Sequence, residues 1–115
     1  ACGIEVARAL EAAEILESEG ISAEVIDMVS IKPIDVDTLV TSVSKTKRIV
    51  TCEEHSVLGG LGSAISEVLS EVLPTPTRRV GMADCFGTSG SPDELIVHFH
   101  LDAPSIACAA RELFA

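Results

Sequence analysis

Residues 48–69 constrain the fold of this chain more than any other stretch. The stretch opens with a short, largely β-branched apolar run at residues 49–52 and continues through the polar residues Glu53, Glu54 and His55. Such a run is typical of a parallel strand that is covered on both faces. Because ligands and partner surfaces collect outside the carboxyl ends of strands in open α/β sheets, this polar cluster marks the place where a site is expected.

A glycine turn follows the polar cluster. Gly59, Gly60 and Gly62 precede Ser63, and apolar residues then recur at the spacing of a helix. One hypothesis is that the free N–H groups at the start of this helix bind a phosphate or carboxylate. The other is that the glycines let the helix start pack closely against the sheet or a second subunit. The spacing matches neither a dinucleotide-binding fingerprint nor a P-loop, so both hypotheses stay open.

Helices and strands are predicted to alternate along the rest of the chain. The further elements are a helix at residues 4–19, a strand at 21–29, a helix at 36–45, a strand at 77–83, a helix at 92–99 and a final helix capped by Asp102. This alternation predicts a mostly parallel sheet flanked by helices. At 115 residues, the chain is predicted to be a single domain, residues 1–115.

Local patterns add detail to two of these helices. Four residues of the first helix are predicted to face the core: Val6, Leu10, Ala13 and Leu16. Three charged residues of the same helix are predicted to face solvent: Glu5, Arg8 and Glu11. Before the helix at 92–99, Ser91 and Glu94 have the spacing of a capping box, with a proline between them.

Composition excludes several classes of protein. The net charge of −10, with no Trp or Tyr, argues against binding to nucleic acid or to anionic membranes. No apolar stretch is long enough to span a membrane, and no signal peptide is visible. The four cysteines are far apart, which favours reduced thiols in a cytoplasmic protein. His98 and His100 lack a nearby third ligand, so no metal site is predicted.

Three motifs resemble the C-terminal domain of the transketolase family. They are I-K-P-I-D at residues 31–35, E-E-H-S-V-L-G-G-L-G-S-A-I-S-E-V-L at 53–69 and D-C-F-G-T-S-G-S-P-D-E-L at 84–95. The resemblance implies a three-layer, flavodoxin-like domain. It also implies that residues 1–3 are the end of the domain's first strand, so that this strand is missing and the chain is part of a longer protein.

The resemblance carries expectations about function. It implies an enzyme that transfers two-carbon ketol units between sugar phosphates in the pentose phosphate pathway. Thiamine diphosphate and Mg²⁺ would be bound by other domains of the parent, a homodimer or a heterotetramer. This domain would serve dimer assembly and the active-site entrance, would contribute no catalytic residue and would be inactive alone. Within the family, Glu54, His55 and the F-G-T-S-G loop resemble transketolase and its split forms more than the other members.

Alternatives to that reading stay open. The same domain occurs in deoxyxylulose-phosphate synthase and in the β subunits of 2-oxo-acid dehydrogenases. From the residues alone, the chain is also compatible with a free-standing α/β module that binds an anion or regulates a partner.

Six residues are candidates for anion binding or for the mouth of the channel: His55, Gly59, Gly60, Gly62, Ser63 and Asp84. His55 can bind a substrate phosphate or orient a neighbour, or it can be a turn residue that hydrogen-bonds Glu53 or Glu54 at a subunit contact. Asp84 can cap its loop or act as a general base.

Overall fold

Two parallel strands lie at the centre of the computed structural model, which describes residues 1–115. Strand β1 (Ile49–Ser56) pairs with strand β2 (Thr77–Met82), and helix α3 (Leu61–Val72) connects them. β1 is longer than its apolar run, because the ladder resumes after an irregularity and Ser56 pairs with Met82. The polar cluster therefore lies in the last part of the strand, and the turn starts after it.

The helices form a layer on each face of this sheet. The remaining helices are α1 (Glu5–Ser18), α2 (Val36–Thr46), α4 (Pro92–His98) and α5 (Ala103–Glu112). α1 and α5 pack on one face, and α2 and α3 pack on the other. Each face has its own apolar core: one is centred on Leu16, Cys52 and Ile106, and the other on Leu39 and Leu61. The three-layer α/β prediction is confirmed. No helix is long and apolar enough to cross a lipid bilayer.

The strand predicted at residues 21–29 is wrong as a regular strand. This segment is not part of the paired sheet, and residues 1–2 lie between it and β1. The Ala1 amino group donates to the Ile26 carbonyl at 3.0 Å, and the Met28 N–H donates to the Ala1 carbonyl at 2.8 Å. On the other side, the Cys2 N–H donates to the Cys52 carbonyl at 3.3 Å. The segment finds only a two-residue partner, which is too short for a ladder.

An apolar cleft of about 220 Å³ adjoins the same segment. It lies between residues 21–28 and β1, and its walls include Leu16, Val25, Val50 and Ile65, from both helical layers. Because residues 1–2 hydrogen-bond to both sides, the two sides are about two strand spacings, roughly 9–10 Å, apart. This gap has the width of one strand, which agrees with the truncated first strand that the resemblance implies.

The buried face of α1 differs from the predicted one. Its buried residues are Glu5, Ala9, Ala12 and Leu16, whereas Leu10 is 52% exposed. α1 packs closely against α5, whose buried face also contains alanines. Small side chains on both helices allow that close approach, so the larger Leu10 lies outside the contact. The spacing of large apolar residues in the sequence therefore predicted the wrong buried face for α1.

The predicted helix caps are confirmed. Ser91 and Glu94 form a reciprocal capping box at the start of α4, and the Asp102 side chain accepts from the Ser105 N–H at the start of α5. Asp35 caps α2 in the same way. These caps join residues within one helical turn, so they set the first residue of each helix independently of tertiary contacts.

Candidate functional site

The carboxyl ends of four parallel segments lie at one edge of the sheet, here called the carboxyl edge. The hydrogen bonds place the segments in the order residues 26–28, residues 1–2, β1 and β2. The turn after β1 contains the predicted glycines, and the loop after β2 contains Asp84. The structure thus brings the predicted residues to neighbouring positions at the edge where an α/β fold places its sites.

Glu53 occupies the start of helix α3. Its two carboxylate oxygens accept from the Leu61 N–H at 2.7 Å and from the Gly62 N–H at 3.0 Å. The residue is 2% exposed. A helix start favours a nearby anion because its first N–H groups lack partners within the helix. Here the chain's own carboxylate is that anion, and it takes two of the N–H groups that an external phosphate would need.

The glycines of the turn allow this close packing. A Cβ atom on Gly60 would overlap the carboxylate of Glu53, and one on Gly62 would lie 2.7 Å from the Thr51 hydroxyl oxygen. Any side chain at either position would push the helix start away from β1. The packing hypothesis for the glycine turn therefore has a direct structural basis.

The remaining turn residues hydrogen-bond to one another. The Gly59 N–H donates to the Ser63 hydroxyl oxygen at 2.9 Å, and that hydroxyl lies 3.3 Å from the Val57 carbonyl oxygen. Gly59 has φ +77°, a conformation that glycine adopts without strain. The Ser63 hydroxyl thus holds the turn closed from within.

His55 contacts the backbone more closely than any carboxylate. Its Nδ1 lies 2.7 Å from the Ser56 carbonyl oxygen and 3.9 Å from Glu53 Oε2. Because a carbonyl oxygen only accepts, Nδ1 carries the proton in the shorter contact. The side chain is 57% exposed, so the ring can contact a neighbouring molecule. The expected hydrogen bond to Glu53 or Glu54 is absent.

Asp84 lies in the exposed loop at residues 83–90. Its backbone has φ +48°, and its N–H donates to the Met82 carbonyl at 2.9 Å. Its carboxylate caps nothing within the chain, so the expected loop cap is not formed. Two residues further on, the Phe86 side chain is 100% exposed.

The sequence analysis missed Glu5, which is fully buried. One carboxylate oxygen accepts from Arg8 Nη1 at 2.9 Å, while the other, Oε2, has no partner. Burial raises the pKa of Glu5, and the neighbouring Arg8 opposes that shift. Only the small residues Ala9 and Ala12 on the same helix face could have indicated from sequence that this carboxylate points inward.

The donor set does not fit a metal ion or the thiamine cofactor. No three His, Cys, Asp or Glu side chains are grouped so that they could hold a metal. The cleft beside β1 is lined mainly by apolar side chains, which offer no ligands for a diphosphate. A second cleft of about 230 Å³ is lined by Asp27 and Asp35, whose negative charge would repel a diphosphate.

Comparisons with known proteins agree over nearly the whole chain. Residues 1–106 match the family model described as the transketolase C-terminal domain. The chain is 50% identical over 113 residues to a 6-deoxy-6-sulfo-D-fructose transketolase subunit of Clostridium sp. (strain MSTE9), covering 98% of this chain and 35% of that protein. It is 42% identical over 115 residues to a 1-deoxy-D-xylulose-5-phosphate synthase of Chlorobium luteolum, covering 99% of this chain and 18% of that protein.

A solved structure shows the same fold. A split gene transketolase, described as an inactive β4 tetramer, superimposes with a TM-score of 0.94 at 51% identity. The match covers 97% of this chain and 37% of that one. The chain therefore spans only a minor part, 18% to 37%, of these three relatives.

Proposed function

Because the chain belongs to the transketolase C-terminal domain family, we propose that it is the C-terminal domain of an enzyme that transfers two-carbon ketol units between sugar phosphates. The observation that carries the proposal is the 50% identity to a transketolase subunit over 98% of the chain. The chain spans 35% of that subunit, so most of the enzyme lies outside it.

The domain's own role is assembly and shaping of the active-site entrance. Two observations support a role without catalysis. The α3 start, which is the obvious anion site, is occupied by Glu53. In addition, no cluster of metal-ligating side chains is present. A catalytic centre needs a nucleophile, a base or a bound cofactor, and the arrangement at the carboxyl edge supplies none with a partner to activate it.

The rest of the enzyme supplies thiamine diphosphate and Mg²⁺, and it assembles with this domain as a homodimer or a heterotetramer. The β4 tetramer of the split gene transketolase supports the view that such subunits self-associate. The net charge of −10 makes nucleic acid and anionic membranes poor partners. A cytoplasmic enzyme of sugar phosphate metabolism, such as one of the pentose phosphate pathway, fits these properties.

A second candidate is the equivalent domain of 1-deoxy-D-xylulose-5-phosphate synthase. The 42% identity to the Chlorobium luteolum enzyme over 115 residues favours it. Transketolase remains the first candidate because the identity to the transketolase subunit is higher. The chain also covers 35% and 37% of the two transketolase subunits but 18% of the synthase, so the transketolase subunits are the shorter proteins, as expected of split subunits. The two candidates differ in their reaction products, which an assay separates.

The test is a ketol-transfer assay on the complete enzyme and on the 115-residue chain, with thiamine diphosphate and Mg²⁺ added or withheld. We expect cofactor-dependent transfer between sugar phosphates by the complete enzyme and none by the chain alone. Formation of deoxyxylulose phosphate from pyruvate would select the second candidate. A native protein of only this length, indifferent to the cofactor, would leave a free-standing α/β anion-binding or regulatory module as the better description.

A further inference from the structure

Glu5 is a buried carboxyl group that the proposed function does not use. It lies in the first turn of α1 and is 0% exposed, and no atom of the fold donates a hydrogen bond to its Oε2. Its Oε1 accepts from Arg8 Nη1 at 2.9 Å. Any further segment of a longer protein would add to this burial and would not reduce it. The environment of Glu5 is therefore a property of the domain itself.

Glu53, the other buried glutamate, has a different environment. Both of its oxygens accept backbone N–H groups at the start of α3. Glu5 has one donor in place of two, and that donor, Arg8, is itself 22% exposed. An ion pair with a partly solvated guanidinium returns less free energy than burial of the carboxylate costs. A proton on Oε2 removes the charge, and it is the simplest way for the fold to accommodate the Glu5 side chain.

The charges nearest Glu5 act in both directions. Burial is the main reason that the pKa of Glu5 is raised, and Glu54, from β1, raises it further. Arg8 and the Ala1 amino group oppose the rise. In any longer chain the Ala1 nitrogen is an uncharged amide, which leaves Arg8 to oppose it. β1 also contributes the Cys52 thiol, whose own pKa is raised by burial to about 12, so this thiol is uncharged.

The second element packed against α1 is α5, whose ionisable side chains are engaged elsewhere. Three of the four in α5 and its cap residue have partners: Arg111 with Glu19 beyond the far end of α1, Glu112 with Arg78, and Asp102 with the Ser105 N–H. The fourth, Cys108, is exposed. The protonation of Glu5 is therefore governed by α1 and β1.

The start of α1 has less support than the other four helix starts. Each of the others has a side chain that accepts from its first N–H groups: Asp35 for α2, Glu53 for α3, Ser91 for α4 and Asp102 for α5. The N-cap of α1 is Ile4, which offers no acceptor. A negative charge at a helix start is normally favourable, but Glu5 accepts none of these N–H groups. Opening this turn is the shortest route by which an ionised Glu5 reaches water.

We propose that the first turn of α1, residues 5–8, is a pH-sensitive latch: a proton on Glu5 holds the turn closed against β1, and loss of that proton opens it. The opening also loosens residues 1–3, which connect the turn to the position between β1 and residues 26–28. This proton-binding site is independent of ketol transfer.

The test measures hydrogen exchange at residues 9–11 of the complete protein, because these amides donate to carbonyls of the first turn. After correction for the intrinsic exchange rate, opening should increase above pH 4.5 by up to about tenfold per pH unit and level off above the native pKa. Glu5→Gln, which mimics the protonated side chain, should show no such increase. The matched control is Glu11→Gln, an exposed glutamate of the same helix, which should follow the wild type within about twofold.

Arg8→Gln separates the latch from a purely structural ion pair. Because Arg8 opposes the raised pKa of Glu5, its removal should move the levelling of the opening curve to a higher pH. A structural ion pair predicts instead that Arg8→Gln increases opening equally at every pH. That result, a wild type whose opening is independent of pH, or the same pH dependence in Glu5→Gln would overturn the proposal. Hydrogen exchange does not depend on turnover, so the outcome is separate from that of the ketol-transfer assay.

Discussion

Replacing Glu53 with glutamine is the sharpest test of the carboxylate cap on α3. The wild-type side chain accepts two N–H groups, those of Leu61 and Gly62, at 2.7 and 3.0 Å. A glutamine of the same shape offers one accepting oxygen and one donating NH₂ group, so one backbone N–H faces a donor. The change converts a buried, charge-assisted pair of hydrogen bonds into one neutral bond and one unpaired group.

The expected cost follows from these contacts. Losing one charge-assisted bond and leaving one buried N–H unpaired costs about 3 kcal/mol. For a chain of this length, 1 kcal/mol shifts the melting temperature by roughly 4 °C. Glu53→Gln should therefore melt about 12 °C below the wild type, as measured by calorimetry, with the same loss in urea titrations at an unchanged m-value.

The neighbouring residue provides the control. Glu54 is exposed and makes no side-chain hydrogen bond, so Glu54→Gln should stay within about 0.5 kcal/mol of the wild type. If Glu53→Gln were also within 1 kcal/mol, or if both variants lost the same stability, the account of Glu53 as the cap would be wrong.

A comparison of the wild type with Glu53→Ala tests whether the glycine turn binds an external anion. Millimolar phosphate should leave the wild-type melting temperature unchanged and should raise that of Glu53→Ala, in which the α3 N–H groups are free. Sodium chloride at equal ionic strength controls for screening. A dose-dependent rise in the wild type with none in Glu53→Ala would contradict the view that Glu53 occupies the anion site of α3.

Three further predictions concern burial. Because burial raises the pKa of Glu5, its ionised form destabilises the fold near neutral pH. Glu5→Gln should therefore have a melting temperature at or above that of the wild type at pH 7. Thermal scans should show this difference in melting temperature shrinking as the pH falls toward the unfolded pKa near 4.5. Gly62→Ala should lose about 1–3 kcal/mol in urea titrations through contact with the Thr51 hydroxyl, whereas Gly87→Ala, with open space around it, should not. Burial raises the pKa of the Cys52 thiol to about 12, so thiol titration of the native chain should modify the exposed cysteines and reach Cys52 only after unfolding; fast labelling of Cys52 would contradict its burial.

Local patterns predicted much of the fold and its helix boundaries. The capping box at Ser91, the cap at Asp102 and the parallel strands around the glycine helix were all confirmed. These features depend on neighbours within a few residues or on the period of apolar side chains, both of which are written in the sequence. Two failures share the opposite cause: the segment at residues 21–29 and the buried face of α1 depend on elements that are distant in sequence.

For the candidate site, sequence reasoning located the residues but did not decide what each one does. The clustering of Glu53, His55 and the glycine turn at a strand end was evident from spacing. The glycine spacing is compatible with anion binding or with close packing at the α3 start, and the structure places the Glu53 carboxylate there. Asp84 and Phe86 were identified as part of a motif, but their exposure could not be read from it.

The sequence by itself therefore determined the class of fold, the order of the five helices and of strands β1 and β2, and the family, because these follow from short-range periodicity and from motifs in fixed order. Tertiary structure alone decided that Glu53 points back onto α3, that Glu5 is buried and that Leu10 is exposed. Each of these facts requires the relative position of two or more segments. The physical reason is that burial and hydrogen bonding are properties of a pair of surfaces, and the sequence specifies each surface separately.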